Sequence, residues 1–191
     1  MNRVHRWICS SGHWKRALEC EVLPKVLDDF DLGDNVLEVG PGFGFTTEWL
    51  RRRFKQVTAV EIDPDLAHLV GNMARGANVR VVQGDGTALP FKDKSFSGAA
   101  AFTMLHHIPS ARLQNLLFAE VCRVIKPGGM FAGIDSVGGL RMRLLHIADA
   151  LVPIEPTTLA PRLEAAGFTG VSINVDGRRF RFDAARRLAV C

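Results

Sequence analysis

The sequence predicts an α/β protein: a doubly wound sheet of seven strands with helices on both faces and the last strand antiparallel to its neighbour. Three observations predict it. Short β-branched and small apolar runs alternate with amphipathic stretches along most of the chain, and that alternation gives a parallel sheet covered on both sides. The first such run, "NVLEVG" at 35–40, is followed at once by Gly42 and Gly44, so three glycines open the loop beyond the first strand. Near the end, "DG" at Asp176 and Gly177 joins two strand-like runs, a hairpin signal that turns the final strand antiparallel.

Each element follows from its residues. Apolar side chains at mostly helical spacing from Trp14 to Phe30, closed by the turn residues "DLGDN", predict one helix with a loose segment ahead of it. "FTTEWLRRRF" (45–54) reads as a helix and "QVTAVEI" (56–62) as a strand. "PDLAHLVGNMA" (64–74) is a helix that Asp63 caps and Pro64 opens, where proline's missing N–H has no partner to lose. "NVRVVQ" (78–83) is a strand, and "SFSGAAAFTML" (95–105) contains a buried one. "SARLQNLLFAEVCRVI" (110–125) is a helix with Ser110 as its cap, and "GGMFAGID" (128–135) is the fifth strand. A helical stretch over 141–151, the turn "VPIEP", a helix in "TTLAPRLEAAG" and the strands "FTGVSINV" and "RRFRFDAA" complete the chain. In the last of these Arg179 and Arg181 alternate with Phe180 and Phe182, which predicts one face in the core and the other as a solvated basic edge. With no repeat, low-complexity tract or long linker, residues 1–191 read as a single domain.

Composition narrows the function classes. At 191 residues, 47% of them apolar and 23% charged, the chain suits a globular domain that buries its own core. No apolar run approaches the roughly 20 residues that span a bilayer, and the amino terminus has no apolar leader core, so a cytoplasmic protein without membrane contact is expected. Cys9, Cys20, Cys122 and Cys191 are scattered and read as reduced thiols. Cys9, His13 and Cys20 lack a fourth ligand, so no metal site is expected. The net charge of +4 is spread along most of the chain and singles out no nucleic-acid face.

In an open parallel sheet the ligand crevice lies beyond the carboxyl ends of the strands. A dinucleotide fingerprint there would place a small third residue opening the helix, but Phe45 stands in that position. "VLEVGPGFG" (36–44) instead resembles the first motif of the class I S-adenosylmethionine-dependent methyltransferases. Three further stretches agree in order and spacing: "VTAVEID" (57–63), "VVQGDGTALPF" (81–91), and "AAFTMLHHI" (100–108) with "VCRVIKPGGMFAGID" (121–135). The resemblance spans roughly residues 30–170.

The resemblance implies a Rossmann-like fold and S-adenosyl-L-methionine as co-substrate, with no metal. It implies donor binding at Glu38, Gly40, Gly42, Gly44, Glu61, Ile62, Asp85, Gly86 and Phe102. Glu61 would accept from both ribose hydroxyls and Asp85 from the adenine amino group. His106 and His107, just past the fourth strand, are the candidate catalytic bases, with Asp135 a weaker one. The amino-terminal segment, within 1–30, would be a lid and helix, with Trp7 or Trp14 near the methyl group. The expected acceptor is a small molecule, nucleic acid is not expected, and the chain would be a monomer or homodimer. Two other readings stand beside this one: a donor-binding partner subunit without its own acceptor chemistry, and an NAD(P) oxidoreductase.

Overall fold

The computed structural model describes residues 3–27, 31–147 and 149–188; Asp28 to Phe30, the end of the first expected helix, and Cys191 lie outside them. Seven strands form one sheet in the order β3-β2-β1-β4-β5-β7-β6, with β1 (Asn35–Val39), β2 (Gln56–Glu61), β3 (Val79–Gln83), β4 (Gly98–Phe102) and β5 (Met130–Ser136) in parallel register. The hairpin of β6 (Phe168–Asp176) and β7 (Arg179–Arg186) closes the sheet, with β7 antiparallel to both β5 and β6. Strand order reverses between β1 and β4, which puts the crevice of a doubly wound sheet beyond their carboxyl ends.

Alternation along each strand feeds two cores. Leu37, Val39, Ala99, Ala101 and Phe131 face α6 (Ala111–Val124) and α8 (Pro156–Ala165), where Leu117, Phe118, Val121, Leu159 and Leu163 are buried against them. On the other face Val36, Ala100, Ala132 and Ile134 meet Trp49 and Leu50 of α4 (Phe45–Leu50) and Leu18, Val22, Leu23 and Val26 from the amino-terminal region. The caps are as read from the sequence: the Ser110 Oγ accepts from Leu113 N–H at 3.2 Å, and Asp63 Oδ1 takes the Asp65 and Leu66 N–H groups at the start of α5 (Pro64–Met73).

Four expectations need correction. The segment ahead of Trp14 is not loose: α1 (Arg3–Cys9) and α2 (Gly12–Ala17) precede a π-helical turn at Leu18–Val22 and α3 (Leu23–Leu27). Pro24 has no N–H to donate, and the ladder reaching it widens to the π spacing, with Leu23 N–H bonded to Leu18 O. The first long helix after the glycines ends at Leu50 rather than Phe54, because the Asn78 side chain donates to the carbonyls of Arg51, Phe54 and Lys55 and holds them in a turn. Finally, β7 is not an edge. It lies between β5 and β6 with Phe180 and Phe182 in the core as expected, and the outer strand is β6. The helix expected over 141–151 is confined to α7 (Leu140–Leu145), after which Val152 N–H bonds to His106 O at 2.8 Å.

Candidate active site

A cavity of about 1060 Å³ opens beyond the carboxyl ends of β1, β2 and β4. One wall is the β1–α4 loop. Gly40 N–H bonds to Val60 O at 2.9 Å, Gly44 N–H to Pro41 O at 2.9 Å, and Gly42 N–H to the Glu61 Oε2 at 3.0 Å. Gly42 sits at φ +56°, in the left-handed region, and a Cβ built on it meets no atom within 4 Å. As Gly42 lines the cavity, that open space is the cavity itself. Glu61 is buried, and its Oε1 accepts from Asp63 N–H at 3.0 Å, so one carboxylate braces two loops.

Ile62, Asp85, Gly86 and Phe102 also line the cavity. Asp85 Oδ1 accepts from the Thr87 N–H and hydroxyl at 2.8 Å each, an Asx-type turn that fixes the carboxylate at the mouth. Ile62 is 66% exposed, an apolar side chain with a ligand-sized space beside it. Gly44 and Glu38 stand apart from the other predicted site residues. Gly44 caps α4 at φ +79°, where a Cβ would meet Val70 at 3.0 Å. The Glu38 carboxyl is absent from the cavity wall because it turns into α4 and accepts from the hydroxyls of Thr46 and Thr47, the latter at 2.5 Å. Both residues thereby shape the glycine loop from behind.

Burial raises the Glu38 carboxyl from 4.5 to about 7, against the two threonine hydroxyls, which lower it. The folded chain therefore holds this proton at pH values where the unfolded chain has released it, and stability falls as pH rises through that window. Glu38→Gln should be insensitive here. Between about pH 5 and 8 the wild type should lose roughly 1–3 kcal/mol relative to the variant, several degrees in Tm. Parallel melting curves across that range would show that Glu38 does not titrate there.

The opposite wall begins at Thr103, a β-branched residue at φ +51°, a conformation costing on the order of 1–3 kcal/mol. Its N–H bonds to Ile134 O at 2.7 Å, and it swings the chain into the 3₁₀ turn Leu105–His107. His106 is buried. Its Nδ1 bonds to Asp135 Oδ1 and its N–H donates to Asp135 Oδ2 at 3.0 Å, so a carboxylate with 1% exposure fixes both ring and backbone. His107 is half-buried beside it, with ring centroids 4.2 Å apart. From the turn after α7 comes His146, whose Nδ1 bonds to Met142 O at 2.7 Å and whose ring centroid lies 5.1 Å and 5.0 Å from those of His106 and His107. Burial lowers its pKa. Sequence reasoning missed His146, which carries no motif and sits far along the chain; Thr103 had no signal either.

Ile8, Cys9, Trp14 and Leu18 close the cavity from the amino-terminal side. Trp7 points away and is 72% exposed, so of the two candidate tryptophans only Trp14 reaches the wall, where the Arg179 guanidinium lies 5.8 Å from its ring centroid. Burial raises the Cys9 thiol to about 11, so it stays protonated near neutral pH. Cys9, His13 and Cys20 form no ligand cluster; among the described residues the group with metal-ligand proximity is His106, His107 and His146. No helix among the described residues is long and apolar enough to cross a membrane.

Residues 37–133 match the family described as Methyltransferase domain. Demethylmenaquinone methyltransferase of Tropheryma whipplei is 34% identical over 121 residues, 62% of this chain and 46% of that protein. A probable ribosomal RNA small subunit methyltransferase A of Pyrococcus furiosus is 35% identical over 75 residues, covering 38% of this chain and 28% of that one. The chain thus spans about half the length, or less, of the curated relatives it matches. Among solved structures, an Aquifex aeolicus SAM-dependent methyltransferase superposes with a TM-score of 0.73 at 21% identity, covering 97% of this chain and 99% of that one, a likeness of fold.

Proposed function

The chain belongs to the class I S-adenosylmethionine-dependent methyltransferases, and on that premise we propose that it methylates a small molecule held in the cavity between the glycine loop and the histidines. One observation carries the reading. Gly42, Glu61 and Asp85 stand on one wall of a single cavity, and His106 and His107 on another. A donor held by the first group and an acceptor held by the second would meet inside it. At about 1060 Å³ the space matches the upper end of small-ligand sites and accommodates both. The amino-terminal helices and α7 flank it, which suits a small acceptor better than a polynucleotide.

Each residue then has a task. Glu61 receives the ribose hydroxyls on the oxygens that already brace Gly42 and Asp63; Asp85 receives the adenine amino group; Ile62 and Phe102 supply apolar walls. Glu38 and Gly44 hold the loop in shape from outside the cavity. S-adenosylmethionine brings an activated methyl group: the acceptor's lone pair bonds to the methyl carbon while the carbon–sulfur pair returns to sulfur, leaving a neutral thioether. Alignment and exclusion of water carry most of the barrier reduction. An acceptor with an acidic proton would lose it at the His106–His107 pair, with Asp135 orienting the His106 ring.

Calorimetry should show one S-adenosylhomocysteine bound per chain and no heat from NAD. Methyl-labelled donor incubated with a metabolite extract and, separately, with total RNA should label the extract. Binding of NAD in place of S-adenosylhomocysteine would overturn the donor assignment, and label confined to RNA would overturn the acceptor class. Donor binding with no label in either would leave a donor-binding partner subunit.

The segment up to about Gly12 is proposed as a lid, since Ile8 and Cys9 close the cavity without belonging to the sheet. Deleting residues 2–11 should cut turnover far more than S-adenosylhomocysteine affinity. Hydrogen exchange checks it: protection of this segment that is unchanged by S-adenosylhomocysteine would mean a fixed extension.

A further inference from the structure

We propose that His106, His107 and His146 together hold one divalent transition-metal ion on the acceptor side of the cavity, and that an oxygen or nitrogen atom of the acceptor completes its coordination. One ring nitrogen from each histidine lies within 4.8 Å of the other two. The orienting groups behind the rings are those of a metal site. The His106 Nδ1 bonds to the Asp135 carboxylate and the His146 Nδ1 to the Met142 carbonyl, so both rings would coordinate the ion through Nε2. A carboxylate or backbone carbonyl on the far nitrogen is the usual second partner of a metal-bound imidazole. Asp135 is itself held, accepting from the His106 and Ser136 N–H groups at 3.0 and 2.6 Å.

Three imidazoles suit zinc, cobalt, nickel or copper rather than magnesium or calcium, and three protein ligands leave a fourth position open. All three histidines line the cavity, so that position faces the space proposed for the acceptor. Tetrahedral coordination at bonds of about 2.0–2.1 Å sets ligand atoms roughly 3.4 Å apart. The cluster must therefore contract by up to about 1.4 Å, which the half-buried His107 and the turn that ends the six-residue α7 can supply. The ion would join the 3₁₀ turn after β4 to α7. It would also change the chemistry of the acceptor. A hydroxyl bound to such an ion loses its proton far more readily than a free one, so the ion takes over from the imidazoles the task of making the acceptor nucleophilic, with the proton leaving to water. That last role rests on the methyl-transfer reading; the ion site itself does not.

Metal-stripped protein titrated with Co²⁺ and followed by visible absorption, with Zn²⁺ equilibrium dialysis alongside, tests it. We expect one ion per chain, with the intense ligand-field bands of a four-coordinate site. His107→Ala and His146→Ala should each weaken binding by more than about 100-fold, and Asp135→Asn by about 10–100-fold, the range measured for lost second partners. S-adenosylhomocysteine affinity, measured in the same variants, certifies that each is folded, since the donor wall is built from other residues; His146→Gln serves where the alanine variant fails that check. A wild type that binds no Co²⁺ or Zn²⁺, or histidine variants that bind them as tightly as the wild type, overturns the site. Failure of the methyl-transfer reading would show differently, as loss of S-adenosylhomocysteine binding in the wild type with the ion still bound.

Discussion

Gly42→Val is expected to leave a folded chain that no longer binds S-adenosylmethionine or S-adenosylhomocysteine at concentrations at least about 100-fold above the wild-type Kd, a loss exceeding 2.7 kcal/mol. Two independent effects add. The valine must adopt φ near +56°, which costs a β-branched residue on the order of 1–3 kcal/mol and pulls the loop away from its native path. Its side chain then enters the space where no protein atom lies within 4 Å, which is the space the donor needs. The strain is confined to a loop whose neighbours stay bonded, Gly40 to Val60 and Gly44 to Pro41, so the thermal cost should be only a few degrees. Gly44→Ala should show the opposite balance. Its Cβ meets Val70 of α5 rather than the cavity, so stability falls and donor affinity changes little. Calorimetry and melting curves on both variants check this; a folded Gly42→Val chain with wild-type donor affinity would overturn the placement of the donor.

Strands were legible wherever a short apolar run was bounded by turn residues. β1 to β4 fall inside the stretches read from the sequence and β5 overruns its stretch by one residue, Ser136, because a doubly covered parallel strand has little choice but to be continuously apolar. The hairpin at Asp176 and Gly177 was legible for the same local reason, yet β7's place in the sheet was not. Alternating Arg and Phe describe a strand with one buried face, and nothing in that pattern says which strand lies on either side of it. The amino-terminal helices were half legible: the apolar spacing was visible, but the re-registration ahead of Pro24 is a three-dimensional compromise.

The same division runs through the candidate site. Gly40, Gly42, Glu61, Ile62, Asp85, Gly86 and Phe102 lie at strand ends within recognisable stretches, and the fold brings them to one cavity. Glu38 belongs to the same stretch but points to the other face of β1, alongside Val36, where α4 offers two threonine hydroxyls; alternation places it there, and the motif alone could not. His146 is the converse. It has no motif at all, and only the turn after α7, held over the sheet by the Val152 to His106 hydrogen bond and by Gln114 reaching Val152 O at 2.8 Å, brings it to the other two histidines. Residues that converge across loops are invisible to spacing.

Glu61→Ala should weaken the donor by about 100-fold or more, beyond the ten- to hundredfold that two charge-assisted hydrogen bonds to a ribose would explain at roughly 1.5–3 kcal/mol. The additional loss comes from the protein. Glu61 is 6% exposed, and its two oxygens receive Gly42 N–H and Asp63 N–H at 3.0 Å each. Removing the carboxylate leaves two backbone donors facing a void and releases the glycine loop from the end of β2 together with the start of α5. Glu61→Gln separates the two contributions. It keeps the length and one accepting oxygen but presents an amide N–H₂ to a backbone N–H, two donors facing each other, so the loop should still be disturbed although the side chain fills its space. The expected order of Kd is therefore wild type, then Gln and Ala close together, with the Asp variant between wild type and Gln because a shortened carboxylate can still accept. A glutamine variant indistinguishable from wild type would mean that neither the charge nor the second accepting oxygen of Glu61 contributes, and the ribose contact would have to be sought on another residue of the wall, with Asp63 the next carboxylate along it.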